Sequence, residues 1–178
     1  MRIISGIYGK RRFSVPKNFN ARPTTDFAKE NIFNVLNNQL NWEETEALDL
    51  FAGTGSIGFE FLSRGCSKVV CVEKDTVHHT FIHKVAKELK AENFCPVKGD
   101  VFTYISTCSS QFDLIFADPP YDLENLPEIP DLIFAKQLLK KDGMLILEHP
   151  GKYTFKEHVH FSQQRTYGSV NFSLFINN

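Results

Sequence analysis

The sequence predicts a doubly wound α/β fold: a mostly parallel seven-stranded sheet with helices on both faces and an antiparallel hairpin at one edge. Three observations carry this expectation. From Ala47 onward, short runs rich in Val, Ile, Leu and Phe alternate with helical patterns, as parallel βαβ units require. The first run passes through a glycine turn, Gly53-Thr54-Gly55, directly into a helical pattern. The tail then breaks the alternation, because 159–166 and 170–176 read as two strands joined by a tight turn at Tyr167-Gly168.

Each element follows in order. Residues 1 to about 20 alternate and turn at Gly6 and Gly9, which suggests a short basic β-ribbon. Thr24-Thr25-Asp26 caps a helix running to about Leu40, with Phe33, Leu36 and Leu40 on one face. Residues 1–43 would thus form a ribbon and helix packed on a core of residues 44–178, with Glu43 to Glu46 as linker. A strand at 47–51 leads to a helix from about Ile57 to Arg64 that stops at Gly65. The strand at 68–73 precedes a helix near 76–90, whose Val77, Phe81, Val85 and Leu89 are four apart. A short strand at 94–98, a short helix at 101–107 and a strand at 112–117 come next. A helix near 131–140 and the strand Met144 to Glu148 complete the alternating series.

Composition bounds the function. At 178 residues, 42% hydrophobic and 23% charged, the chain is an ordinary globular domain large enough to bury a core, and its 17 phenylalanines are most simply core. A net charge of −1 gives the whole molecule no nucleic-acid signature, but the charge is unevenly placed. No acid precedes Asp26, whereas Arg2, Lys10, Arg11, Arg12, Lys17 and Arg22 are all basic. Either this is a solvated face or it grips an RNA or DNA backbone. Cys66, Cys71, Cys95 and Cys108 show no zinc spacing and read as reduced thiols. His79 and His83 have no third ligand nearby, so no metal is expected. Met1-Arg-Ile-Ile-Ser-Gly lacks the apolar core of a signal peptide and no run approaches a membrane span, which points to the cytoplasm.

Two motifs carry chemistry. In Ala47-Leu-Asp49-Leu-Phe-Ala-Gly53-Thr-Gly55-Ser-Ile-Gly58, glycines let a backbone approach a bound cofactor, and Glu73 ends the next strand 20 residues after Gly53, placed to hold ribose hydroxyls. A nicotinamide dinucleotide or S-adenosylmethionine fits this geometry. Asp49 favours the second, since a carboxylate pointing into the pocket would repel a pyrophosphate and tolerate an ammonium and a sulfonium. No Gly-Lys-Ser/Thr follows, so a P-loop is excluded. The second motif, Asp118-Pro119-Pro120-Tyr121, ends an apolar strand. The carboxylate can accept one N–H of a planar amine, Pro120 biases Pro119 towards an extended backbone whose carbonyl accepts the other, and the tyrosine offers a stacking face. The plainer alternative is a Pro-rich loop with Asp118 as turn former.

Together, Arg2-Ile-Ile-Ser-Gly6, Arg22-Pro-Thr24-Thr-Asp26, Glu30-Asn-Ile-Phe-Asn34, Leu48-Asp-Leu-Phe-Ala-Gly-Thr-Gly55, Asp118-Pro-Pro-Tyr121 and Tyr167-Gly168 resemble the RsmD family of class I, Rossmann-like methyltransferases. That resemblance implies methyl transfer from S-adenosylmethionine to N2 of a guanine in 16S ribosomal RNA, guanine 966 in the usual numbering, on free rRNA or in the small subunit. It further implies that Gly53 and Gly55 pack under the cofactor, Glu73 holds its ribose, and Asp100 with Val101 meets the adenine. Arg22 to Thr24 would close over the cofactor, and Asp118, Pro119 and Tyr121 would hold the guanine. Two departures stand out: Ser5 and Phe27 occupy positions where the family usually carries glycine and arginine. A DNA adenine methyltransferase shares the Asp-Pro-Pro-Tyr motif but normally adds a target-recognition region, and a protein-glutamine methyltransferase carries Asn in place of Asp118.

Overall fold

The computed structural model describes residues 1–17, 19 and 26–178. Seven strands form one sheet: β1 (Glu46–Leu50), β2 (Lys68–Glu73), β3 (Phe94–Lys98), β4 (Phe112–Ala117), β5 (Leu139–His149), β6 (Phe161–Tyr167) and β7 (Val170–Ile176). Among the described residues five α-helices accompany them, α1 (Asp26–Asn37) ahead of the sheet and α2 (Ser56–Arg64), α3 (Thr76–Glu88), α4 (Val101–Thr107) and α5 (Ile129–Ala135) between successive parallel strands. The spatial order is β3-β2-β1-β4-β5-β7-β6, with β1 to β5 parallel and β7 antiparallel to both β5 and β6. The expected doubly wound sheet with a C-terminal hairpin is therefore present. The chain winds outward from β1 through β2 to β3, then crosses back to lay β4 against the other side of β1. That reversal opens a crevice at the carboxyl ends of β1 and β4, where open α/β sheets bind ligands.

The sheet buries an apolar layer on each face. One joins Ile3, helices α1, α2 and α3, and the strand residues Ala47, Val69, Cys71, Leu114, Phe116 and Ile146. The other packs α4 and α5 on Leu48, Leu50, Val70, Val72, Ile115, Ala117, Leu145 and Leu147. Successive strand residues alternate between these layers, as the pleat demands. Within the first layer Phe59 and Phe94 stack with ring centroids 4.4 Å apart.

Some boundaries differ from expectation. The helix expected at 131–140 spans Ile129–Ala135, because Gln137 adopts a left-handed φ of 53° and the Leu138 N–H bonds back to Ile133 O. The chain thereby turns straight into β5, which starts at Leu139 rather than Met144. Lys90, at φ 54°, ends α3 in the same manner. Nothing in a run of good helix formers such as Lys136 to Lys140 announces such a stop, since glycine usually marks it. The N-terminal ribbon is short: one Arg2–Arg12 bridge, bonds from Ile3 N to Arg11 O and Lys10 N to Ile3 O, and a turn at Gly6. Among the described residues, no helix is long and apolar enough to cross a membrane, and no group of His, Cys, Asp or Glu is arranged to hold a metal ion.

Candidate active site

Four acidic residues stand at the carboxyl ends of adjacent strands. Glu73 ends β2, Asp49 lies one residue from the end of β1, Asp118 follows β4, and Glu148 lies one residue from the end of β5. Alternation places Glu73, Asp49 and Glu148 on the face covered by α1, α2 and α3, because Leu48, Leu50, Val72 and Leu147 belong to the opposite layer. Asp118 continues that alternation from Leu114 and Phe116. A row of carboxylates at one rim favours a cationic ligand and disfavours a pyrophosphate.

The glycine turn is built on two of these acids. Gly53 and Gly55 adopt left-handed φ values of 55° and 74°, and α2 begins immediately after them. Glu73 Oε2 accepts the Gly53 N–H at 2.7 Å, while its Oε1 accepts the Asp75 N–H at 2.7 Å. Ionised, a carboxylate has about four acceptor positions, so ribose hydroxyls can still be held by Glu73. Asp75 in turn caps α3 through Val77 N and His78 N, and those bonds hold its pKa low.

Asp49 departs from the expectation that it points into the pocket. Only 1% of it is exposed, and its Oδ2 accepts the Gly58 N–H at 2.9 Å with Cys71 Sγ 3.7 Å away. Burial raises its pKa to about 7, although the Gly58 N–H pulls the other way. The acid braces the first turn of α2 from beneath, so it shapes the cofactor loop instead of lining it. Gly58 must be glycine here, since a Cβ would stand 2.1 Å from Cys71 Sγ.

Across the crevice, the Asp118 N–H bonds to Leu50 O at 3.4 Å, tying the Asp-Pro-Pro-Tyr motif to the strand that feeds the glycine turn. Asp118 and Tyr121 are partly exposed, Pro119 is buried and Pro120 exposed. The Tyr121 hydroxyl donates to Glu148 Oε1 at 2.9 Å. Asp100 caps α4, its Oδ1 accepting from Phe102 N at 3.0 Å and Thr103 N at 3.1 Å, with Lys74 Nζ 4.0 Å from its Oδ2. Val101 buries its side chain in the second layer, leaving its backbone as the part available to a ligand. A Cβ on neighbouring Gly99 would meet nothing within 4 Å, so open space adjoins this corner. Arg22 and Thr24, expected over the cofactor, lie outside the described residues. Phe27 is 65% exposed on the first turn of α1 and meets the Tyr167 ring edge-on, 6.3 Å between centroids.

The N-terminal basic residues are dispersed. Arg2 pairs with Asp26 at 3.0 Å, Arg11 lies 5.6 Å over the Tyr8 ring, and Lys10, Arg12 and Lys17 are exposed. Lys10 has a left-handed φ of 70°, which interrupts the extended alternation that would set Lys10 and Arg12 on one face.

Sequence reasoning missed a buried ionic knot that fixes this arm. Lys29 is wholly buried and its Nζ reaches Glu60 Oε2 at 3.2 Å, Ser56 Oγ at 2.8 Å, Ser56 O at 3.0 Å and Arg2 O at 3.1 Å. Glu60, equally buried, also accepts from Ile4 N, Ser5 N and the Arg64 guanidinium. Burial lowers the Lys29 pKa against the opposing pull of Glu60. One knot thus ties the arm, α1 and the start of α2 just after the glycine turn. The signal was available: Lys29 stands where the apolar stripe Ile32, Phe33, Leu36 begins, three residues before Ile32.

Comparison with known proteins fits this architecture. The family described as Conserved hypothetical protein 95 matches residues 1–176. This chain belongs to that family, the RsmD/YhhF methyltransferases. The ribosomal RNA small subunit methyltransferase D of Haemophilus influenzae is 30% identical, covering 99% of this chain and 94% of its own length. That of Escherichia coli is 30% identical over 83% of this chain and 74% of its own. Among solved structures, the candidate methyltransferase yhhF of Escherichia coli superposes with a TM-score of 0.88 at 27% identity, covering all of this chain and 98% of that one. The RsmD-family chain is therefore an S-adenosylmethionine-dependent methyltransferase with the class I fold. The site suits that cofactor: left-handed glycines bare the loop backbone, Glu73 offers a carboxylate beside it, and the acidic rim favours a cation.

Proposed function

We propose that the protein methylates the exocyclic N2 of a guanine in 16S ribosomal RNA, guanine 966 in the usual numbering. The observation that carries the reading is the placement of Asp118-Pro-Pro-Tyr after β4, across the switch point from the glycine turn and bonded to β1 through Leu50 O. The names of the relatives in Haemophilus influenzae and Escherichia coli, which specify small-subunit rRNA, support the choice of substrate. S-adenosylmethionine supplies an electrophilic methyl group on sulfur. The Asp118 carboxylate and the Pro119 carbonyl accept the two amine hydrogens, which favours a more tetrahedral nitrogen and frees a lone pair otherwise delocalised into the ring. Tyr121 stacks on the base and fixes its plane, so orientation does much of the work. After transfer the methylated nitrogen is acidic and loses its proton to Asp118 or water. Glu73 holds the ribose and Asp100, beside the Val101 backbone, faces the adenine. Arg22 and Thr24 would lie over the cofactor, and Lys10, Arg11, Arg12 and Lys17 offer cations to the RNA backbone, with Arg2 shared with Asp26.

Tritium transfer from labelled cofactor to small subunits, free 16S rRNA and duplex DNA, followed by nucleoside digestion, tests this reading. N2-methylguanosine from an rRNA substrate is expected, and N6-methyladenosine in its place would refute it. Asp118→Ala should cut transfer by at least about 100-fold, the size seen when one electrostatic partner of a transition state is removed. Its cofactor affinity should stay near wild type. Retention of a third of the rate would dismiss the amine clamp.

A further inference from the structure

Among the described residues four large apolar side chains stand exposed, Ile7, Phe27, Val77 and Val159, and Phe27 is the aromatic one. A single exposed apolar side chain is ordinary and needs no explanation. Phe27 differs in its company. Its ring meets that of Tyr167 at 88°, so the two form an aromatic corner, and Tyr167 leans on buried Phe172 with ring centroids 6.1 Å apart. Phe27 thus presents a ring that the core does not use, beside a ring that the core holds in place.

The corner stands at the rim of the crevice. Phe27 lies in the first turn of α1, two residues before Lys29, whose Nζ bonds to Ser56 O and Oγ at the start of α2, directly after the glycine turn. Tyr167 ends β6 opposite Val170, and the following β7 residue, Asn171, pairs with His149 at the carboxyl end of β5. Phe172, and Tyr167 packed beside it, belong to the layer covered by α1, α2 and α3, the face on which Asp118 lies. The sheet order sets β6 three strands from β4, about 14 Å away. A base at the corner is therefore a neighbour, in the same strand, of the base held at Asp118.

Charge favours a nucleotide there. Arg165 is exposed and pairs with Phe172 across the β6–β7 ladder, so its side chain leaves the same face as that of Tyr167, two residues along. On α1, Asp26 is matched by Arg2 at 3.0 Å, whereas exposed Glu30, one turn beyond Phe27, would repel a phosphate. The backbone of a bound strand therefore runs on the Arg165 side. An aromatic face for a base beside a cation for a phosphate is the combination with which proteins hold single-stranded nucleic acid.

We propose that Phe27 and Tyr167 hold a nucleobase flanking the target guanine, stacked on the Phe27 ring with Arg165 at its phosphate. This inference rests on the ribosomal RNA reading above and makes the first turn of α1 a second contact with the same strand.

Steady-state kinetics on the rRNA substrate that the wild type methylates, with Phe27→Ala, Phe27→Leu, Phe27→Trp and Arg165→Gln, test it. Phe27→Ala should raise the KM for RNA by roughly 5- to 150-fold, the span of one base–aromatic stack, with cofactor affinity and urea midpoint close to wild type. Leucine keeps apolar bulk without the ring and should fall with alanine, while tryptophan should stay within about 3-fold of wild type. Arg165→Gln should flatten the dependence of log KM on log salt by about 0.7, one phosphate contact on a single strand. Substrates carrying one abasic site, moved through the nucleotides on either side of the target, identify the base: at one position the loss seen with wild type should vanish in Phe27→Ala. An unchanged KM in Phe27→Ala, a Phe27→Leu protein equal to wild type, or no flanking position whose loss depends on Phe27 would overturn the proposal. Weakened cofactor binding in Phe27→Ala would place the ring over the cofactor and overturn it as well. Wild-type protein that methylates duplex DNA and leaves rRNA untouched would defeat the RNA reading itself, and this inference with it.

Discussion

Gly58→Ala sets two effects of opposite sign against each other. Gly58 lies inside α2, where alanine would stabilise a free helix by about 1 kcal/mol over glycine. Its added methyl, however, would stand 2.1 Å from Cys71 Sγ and 3.2 Å from Asp49 Oδ2. Non-bonded heavy atoms settle at about 3.5 Å or more, so either the buried Cys71 side chain must turn away or helix and strand must part. Overpacking of that kind costs about 1–3 kcal/mol. Separation also stretches the Gly58 N–H bond to the buried Asp49 carboxylate, itself worth about 1.5–3 kcal/mol. The costs should outweigh the helix gain by about 1.5–5 kcal/mol, a large part of a typical domain stability of about 5–15 kcal/mol. Urea unfolding of wild type, Gly58→Ala, Cys71→Ala and the double variant would measure it. Removing the sulfur gives the methyl a place to go, so the alanine penalty should fall below about 1 kcal/mol in the Cys71→Ala background. A Gly58→Ala protein as stable as wild type, or an equal penalty in both backgrounds, would refute the packing argument.

Two further outcomes are expected. Burial lifts the Asp49 pKa to about 7 in the folded state from the 3.8 of a free aspartate, so the folded state binds its proton more tightly than the unfolded chain. This contribution to stability is fully present below about pH 4 and is lost as pH rises through about 7; Asp49→Asn should flatten that fall in denaturant midpoints, and an unchanged profile would locate the titration elsewhere. In the buried knot, Lys29→Met leaves Glu60 still paired with Arg64, whereas Glu60→Leu takes the counter-charge from buried Lys29 and the acceptor from the Ile4 and Ser5 N–H groups. Breaking a buried pair costs about 3–5 kcal/mol, so chemical denaturation should put Lys29→Met near the lower figure and Glu60→Leu near the upper, and the reverse order would contradict the assigned bonding.

Much of the architecture is local and so is visible in the chain itself. Strand and helix periods, Gly65 as the stop of α2, and the glycine turn between β1 and α2 all arise from neighbours within a few residues. Asp118-Pro-Pro-Tyr after an apolar strand, and an acid closing the strand after the glycine turn, are legible for the same reason. Their common rim follows from one topological rule, that parallel strands all end at the same edge. What the chain could not reveal is contact across distance and its direction. Asp49 was expected in the pocket, yet its carboxylate turns beneath α2 to meet Gly58 and Cys71, because that is where a buried N–H needs an acceptor. Lys29 meets Glu60 only when the arm, α1 and α2 pack together, and Tyr121 meets Glu148 only when β4 and β5 pair. The early start of β5 depends on left-handed Gln137, a conformation that tertiary packing holds in a residue with no intrinsic preference for it. Local periodicity therefore determined the elements and the order of the chemistry along the chain. Long-range pairing decided which acid faces a ligand and which supports the fold, since a carboxylate takes its role from the donors that burial brings to it.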